Sequence, residues 1–310
     1  MTAAPTTHSP VLGRGFGHGK LILIGEHAVV YDHPALAAGI NVGIRAEAVA
    51  GDGALTAPAW SVSVRANDGS AVGRGLGAIL KRLGVGELDF HLDAALPARA
   101  GLGSSAAMAV AVARAAAQAR GRGEDSVTIA AAIADAETVF HGSPSGIDAA
   151  AASLGGVGRF RRATGWQAIK VLQPMTICVG LTGRPRDTAV QVATVARLRE
   201  RTPAVGKVLA LIGELCPAAE HALAVGDIDG LGRLFDVAHG LLAALRVSSP
   251  EIETLVHGAR AAGAIGAKLT GAGGGGAVIA LAPGHEQDVL ARWRRDGGDG
   301  FLAEIREAQA

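Results

Sequence analysis

The chain has 310 residues, a formal net charge of +1 and a hydrophobic fraction of 49%. That length suits two domains of ordinary size or one large one. The apolar content argues against disorder, and the near-zero charge excludes a general binder of nucleic acid or acidic surfaces. Aromatic residues make up only 3%, so the core must be built from Ala, Val, Leu and Ile. Glycine accounts for 45 residues, about twice the usual share, and clusters in short loops that suit ordered ligand contacts better than a linker.

Residues 1–10 are polar and lack the charged-then-apolar pattern of a secretory leader. Residues 11–50 read as strands. Lys20-Leu-Ile-Leu-Ile-Gly25 is a short apolar run bounded by glycine, and a turn is expected at Asp32-His33-Pro34. Residues 60–66 alternate as a further strand. Residues 70–84 place Leu76, Ile79, Leu80 and Leu83 on one helical face. A short strand is expected over 90–93, then a helix from Ser104 to Arg120, because Ala is the best helix former. A second helix, with Ser126 as its N-cap, runs to His141 and is broken by Gly142-Ser-Pro-Ser-Gly146. The helix resumes over 147–153, and Gly155, Gly156 and Phe160 mark a return to strand.

The polar, turn-rich stretch 161–167 is the expected boundary, giving domains over 1–166 and 167–310. The second half opens with a strand over 175–181. Helices follow over 188–200, 205–224, 228–244 and 250–263, then strands at 266–269 and 277–282 around the glycine run 271–276. A helix at 285–295 and a short tail close the chain. The pattern is α+β in both halves, with no internal repeat of fixed period. Cys178 and Cys216 are lone thiols, which suits a reducing compartment and argues against a disulfide framework or a Cys-based zinc site. No apolar stretch of about 20 residues is free of charge or glycine breaks, so no membrane span is expected and the protein reads as cytoplasmic.

Ala95-Leu-Pro-Ala-Arg-Ala-Gly-Leu-Gly-Ser-Ser-Ala106 opens straight into an Ala-rich helix. Such a turn aims unpaired N–H groups and the positive end of a helix dipole at one spot, which is an anion-binding device. Gly101 and Gly103 let backbone approach a phosphate, and Ser104 and Ser105 add hydroxyls. The bland alternative is a plain helix cap at Ser104. A Walker pattern is absent, since Gly19-Lys20 is followed by Leu21. Gly101-x-Gly103-x-x-Ala106 and Gly271-x-Gly273-x-x-Gly276 fit a dinucleotide fingerprint only on paper. Pro97 sits in the approach to the first, and strand-like sequence follows the second.

Glu137 and Asp148 flank the helix break, where one carboxylate can ligate Mg²⁺ and the other can accept a hydroxyl proton. Two solvated helix carboxylates are the competing account. Lys20, near Glu26 and His27, is either a surface charge or a clamp on a developing charge. His27 and His33 lack a third ligand at zinc spacing. His141 reads as a cation at a helix C-terminus. Lys268-Leu-Thr-Gly-Ala-Gly-Gly-Gly-Gly276 carries more glycine than a hairpin needs, which points to backbone packed against a nucleotide loop.

Taken in order, these segments resemble the GHMP kinase superfamily, and within it the mevalonate kinases. Gly19-Lys-Leu-Ile-Leu-Ile-Gly-Glu-His-Ala-Val-Val-Tyr31 resembles the first family motif, and Pro97 to Ala106 the second. Glu137 through Asp148 is similar to the metal and base segment, and Lys268 to Gly276 to the third motif. Arg186-Asp-Thr188 falls where the family has Asn-Thr or Ser-Thr, and Gly17-His18 departs from its Ala/Ser-Pro before Gly-Lys.

The resemblance implies an α+β, two-domain GHMP kinase fold. Its N-terminal domain would resemble ribosomal protein S5 domain 2, and its C-terminal domain would be ferredoxin-like. It implies that ATP phosphates lie on Pro97, Gly101, Leu102, Gly103, Ser104, Ser105 and Ala106, with Gly273 and Gly274. Ser105 and Glu137 would hold Mg²⁺, Asp148 would take the proton of mevalonate's primary hydroxyl, and Lys20 would stabilise developing charge. Glu26, His27 and Thr188 would help bind or position mevalonate, and a homodimer is expected. Rival readings are a kinase of phosphomevalonate, homoserine or a sugar, a related ATP-using decarboxylase, and a silent sensor. Lys20 with Asp148 argues against the sensor, and the Glu26-His27 pair favours mevalonate.

Overall fold

The structure is a computed structural model that describes residues 10–308 apart from 87, 99, 122–125, 143 and 186. The leader reading of residues 1–9, Arg99 of the glycine turn, Ser143 of the helix break and Arg186 beside Thr188 therefore lie outside the described residues. The chain divides into two compact units, neither contiguous in sequence. Residues up to 17, 43–95 and 105–144 form the first; residues 18–42, 96–104 and 145 onward form the second.

Strands β1 (Val11–Ile24) and β2 (Ala35–Ala50) are long enough to contribute to both units. In the first unit β2 pairs antiparallel with β5 (Leu88–Ala94), from Ile44 opposite Ala94 to Ala50 opposite Leu88. Beyond β5 lie β3 (Ala54–Ala57), which is parallel to it, and β4 (Val62–Arg65). The strand expected over 60–66 is present as β4, and β3 is a further strand antiparallel to it. Pro58 opens a 3-10 turn, and Ser61 adopts φ 53°, so β3 and β4 form a hairpin.

Helix α1 (Ala71–Leu83) starts where the Ser70 hydroxyl accepts from the Gly73 N–H and stops at Gly84, φ 63°. It packs on α3 (Ser126–His141). Helix α2 (Ser104–Ala119) lies close along β1. A Cβ at Gly17, Gly15 or Gly13 would sit 2.0, 2.0 or 2.2 Å from the carbonyl oxygens of Ala107, Ala111 and Ala115. Two strand residues span roughly 6.7 Å and four helical residues roughly 6.0 Å, so the two repeats match. Alternate glycines on β1 therefore admit successive turns of an alanine helix at backbone distance.

In the second unit the first half of β2 pairs antiparallel with β6 (Gly156–Arg161), Ala35 opposite Phe160. β6 turns into β7 (Gly165–Ala168), so the stretch 161–167 is a hairpin. A four-stranded antiparallel sheet runs in the order β11-β8-β10-β9, with β8 Met175–Leu181, β9 Gly266–Thr270, β10 Ala277–Leu281 and β11 Asp299–Ile305. Only Ala303 and Ile305 of β11 are buried, which explains why its sequence reads as a tail.

The helices of this unit are α4 (Ile147–Leu154), α5 (Thr188–Arg201), α6 (Ala204–Val225), α7 (Ile228–Ala244), α8 (Pro250–Ala261) and α9 (Glu286–Arg295). Helices α5 to α9 and the sheet enclose a core of Ile212, Val256, Leu269, Val278 and Trp293, whereas Ile147 of α4 packs with Ala35, Ala37 and Phe160. The Trp293 indole N–H donates to the Leu255 carbonyl at 2.8 Å. Among the described residues α6 alone is long and apolar enough to cross a membrane, although glycines and charges interrupt it. It packs on α7 and buries Leu209, Ile212, Cys216, Ala219 and Leu223, as a core helix does.

Candidate active site

In the second unit the glycine turn meets β1. Gly101 and Gly103 adopt φ 79° and 73°, the left-handed conformation that glycine accepts without strain. The Lys20 N–H donates to the Leu102 carbonyl at 2.8 Å, and Leu102 is fully buried. A Cβ at Gly103 would press on Lys20 Cβ at 3.1 Å, so the turn lies directly on the lysine. Lys20 Nζ reaches Asp148 Oδ1 at 2.7 Å. The lysine side chain is 4% exposed and the aspartate 36%, so a dry cation faces a carboxylate open to solvent. Asp148 stands in the first turn of α4, behind an N-cap at Gly146 with φ 89°. Lysine and helix N-terminus both place positive potential at this carboxylate. The chain brings Lys20 and Asp148 together across more than a hundred residues, which spacing alone could not show.

In the first unit Ser105, in the first turn of α2, and Glu137, in the last turns of α3, share one neighbour. His141 Nε2 lies 3.0 Å from Ser105 Oγ and 4.0 Å from Glu137 Oε2. His141 does stand in the last turn of α3, as a helix-end cation would, but its ring is engaged with Ser105 as well. Glu137 is 2% exposed, far from the solvated carboxylate of the bland reading. A hydroxyl and a buried carboxylate are the hard oxygen donors Mg²⁺ prefers, and Mg²⁺ needs few protein ligands because it keeps waters and substrate oxygens. Among the described residues no group of three or more His, Cys, Asp or Glu side chains could cage a metal.

Glu26 and His27, adjacent in sequence, bond to different partners. The Glu26 carboxylate is held by the ammonium of Lys268, and both side chains are 0% exposed. Lys268 also donates to the Leu269 carbonyl at 2.7 Å and to that of Ile22 at 3.5 Å. Burial drives its pKa down, and the Glu26 carboxylate opposes that shift. His27 has φ 59° and ψ −40°, strained for an L-residue, and its Nε2–H donates to the Ala272 carbonyl at 2.9 Å. Cys216 lies in the same dry region, where burial first and Glu26 second push its thiol up to about 12.

Lys268 was visible in sequence only as the start of a glycine run. Its position within β9, where every residue is buried, gives it this role. β9 is an edge strand, and its outward groups are met by side chains. Asp236 accepts from the Ala267 N–H at 2.9 Å, Arg260 donates to the Ala267 carbonyl at 3.3 Å, and His239 Nδ1 accepts from the Leu269 N–H at 3.4 Å. Thr270 Oγ1 accepts from the Ile22 N–H at 2.9 Å and donates to the Ile22 carbonyl at 3.0 Å, imitating a strand partner for β1.

In the glycine run, Gly273 and Gly274 have φ 77° and 72°. The Gly274 N–H donates to the Val247 carbonyl at 2.7 Å, and a Cβ on Gly273 would sit 2.0 Å from that same oxygen. Gly273 is therefore required by the protein's own backbone, and a Cβ on Gly274 would meet the Gln191 side chain at 2.2 Å. Pro97 lies in the approach to the turn, and Ala106 is buried in α2. Thr188 opens α5, exposed, beside the Asp187 cap.

Comparison with known proteins agrees with this geometry. Residues 70–156 match the GHMP kinases N terminal domain, and residues 219–299 match GHMP kinases C terminal. The chain is 33% identical over 318 residues to the mevalonate kinase of Pyrococcus abyssi, covering 92% of this chain and 93% of that one. It is 35% identical over 319 residues to the mevalonate kinase of Aeropyrum pernix, covering 96% and 97%. The crystal structure of the L. major mevalonate kinase in complex with R-mevalonate matches with a TM-score of 0.86 at 27% identity, covering 100% of both chains. The chain belongs to the GHMP kinase family, and within it to the mevalonate kinases. It is accordingly a phosphotransferase with ATP as co-substrate, and its two-domain α+β fold is that of the family.

Proposed function

We propose that this kinase transfers the γ-phosphoryl group of ATP to the primary hydroxyl of mevalonate, giving 5-phosphomevalonate for isoprenoid precursor synthesis in the cytoplasm. The observation that carries the reading is the ion pair of buried Lys20 with solvent-open Asp148 at 2.7 Å. Phosphoryl transfer asks a protein mainly for positioning and charge stabilisation. Asp148 accepts the hydroxyl proton as the oxygen attacks, and Lys20 stabilises the charge that develops there. The glycine turn, from Pro97 through Gly101, Leu102, Gly103, Ser104 and Ser105 to Ala106, offers N–H groups and hydroxyls to the phosphates, with Gly273 and Gly274. Ser105 and Glu137 would hold Mg²⁺, which neutralises phosphate charge when bound. Glu26, His27 and Thr188 help bind or position mevalonate, Glu26 through the loop it anchors on Lys268. Domains over 1–166 and 167–310 and a homodimer complete the reading.

The test is ADP release with Mg-ATP across mevalonate, phosphomevalonate, mevalonate diphosphate, homoserine and galactose. Turnover with mevalonate and a monophosphorylated product by mass is the expected result. Turnover with another acceptor instead would overturn the substrate and leave the kinase chemistry standing.

A further inference from the structure

A serine that ligates a cation must point its proton away from the ion, because only its lone pairs can face positive charge. Something nearby has to take that proton. In the first unit His141 Nε2 lies 3.0 Å from Ser105 Oγ, at hydrogen-bond distance, and 4.0 Å from Glu137 Oε2. His141 stands four residues after Glu137 on α3, so the helix repeat sets the imidazole beside the carboxylate. Ser105 belongs to α2, so the His141 ring ties the start of one helix to the end of another. The ring is half exposed, and it also meets the Phe140 ring edge-on, with centroids 6.3 Å apart.

We propose that His141 is a positioning residue for the divalent cation: its Nε2 accepts the Ser105 hydroxyl proton and so turns the oxygen's lone pairs toward the metal that Glu137 also ligates. The imidazole is not itself a ligand. The proposal rests on the assignment of Ser105 and Glu137 to Mg²⁺. Partners of this kind are worth about 10–100-fold in metal affinity elsewhere.

The test uses Mn²⁺ as a paramagnetic probe, with free Mn²⁺ read by electron paramagnetic resonance in the presence of the full chain and a non-hydrolysable ATP analogue. His141→Ala is expected to weaken Mn²⁺ binding about 10-fold and to leave metal-free nucleotide affinity within about 2-fold. His141→Gln, which keeps an acceptor at similar reach, is expected to recover most of the loss. On a Ser105→Ala background His141→Ala should cost nothing further, because no hydroxyl remains to orient. Full Mn²⁺ affinity in His141→Ala, or an undiminished penalty in the Ser105→Ala background, would overturn the inference. If Ser105→Ala and Glu137→Gln both bind Mn²⁺ like wild type, the metal assignment itself fails and the His141 role falls with it. If those two lose affinity while His141→Ala does not, only the His141 role is lost.

Discussion

Among the described residues of the second unit two lysine–carboxylate pairs occur, and they differ in one respect. Lys20 is buried, but its partner Asp148 is 36% exposed; Lys268 and Glu26 are both 0% exposed. The open pair can exchange a proton with a ligand or water, which suits a base. The closed pair has no route for that exchange, and it ties β9 to the loop after β1 instead. On the proposed mechanism the same ionic chemistry would serve reaction in one place and architecture in the other, with water access as the difference.

The largest effect is expected at the open pair. Asp148→Asn should lower turnover about 10²–10⁴-fold, the usual worth of a general base, with ATP affinity little changed. Rate measurement beside nucleotide titration checks both halves, and a variant at wild-type speed would remove Asp148 from the chemistry. At the closed end Lys268→Met should cost about 3–5 kcal/mol of stability, since it strands a buried carboxylate. Denaturant unfolding should show much of this recovered when Glu26→Gln is added, because a neutral pair leaves no orphaned charge.

Two smaller effects sharpen the contrast. Thr270→Val removes the hydroxyl that satisfies both backbone groups of Ile22, at a cost of about 1–3 kcal/mol in the same unfolding assay. The Arg82–Asp135 pair in the first unit has side chains 48% and 37% exposed. Arg82→Ala should move stability by about 0.2–1 kcal/mol, and by less in high salt. A large effect there would mean that burial is not what separates the pairs.

The elements with strong local signals were legible in the sequence. Alanine content marked α2, the run Gly142 to Gly146 ended α3, and the 3.6-residue pattern marked α1. What stayed hidden depended on partners distant in the chain. β11 carries a weak burial pattern and exists because β8 offers it an edge. β7 completes a hairpin in what reads as a polar connection. For the candidate site the order of the family motifs was readable, but the pairing of side chains was not. Glu26 looked like a neighbour of His27 and belongs to Lys268, and His141 looked like a helix-end cation and also reaches Ser105. Adjacent positions advertise each other in sequence, whereas a hydrogen bond across 242 positions does not.

The close fit of α2 on β1 works as a rack and gear. Glycines at 13, 15 and 17 are the notches, and the carbonyls of Ala115, Ala111 and Ala107 are the teeth. A helix seated this way cannot creep along its strand by a fraction of an ångström, because every intermediate position drives a carbonyl into the strand. It must stay or jump a whole step of roughly 6 Å. The first turn of α2, with Ser105 in it, is therefore indexed by a strand that contributes no side chains to the contact. Its register would survive wide change in the surrounding side chains, provided those three positions keep none.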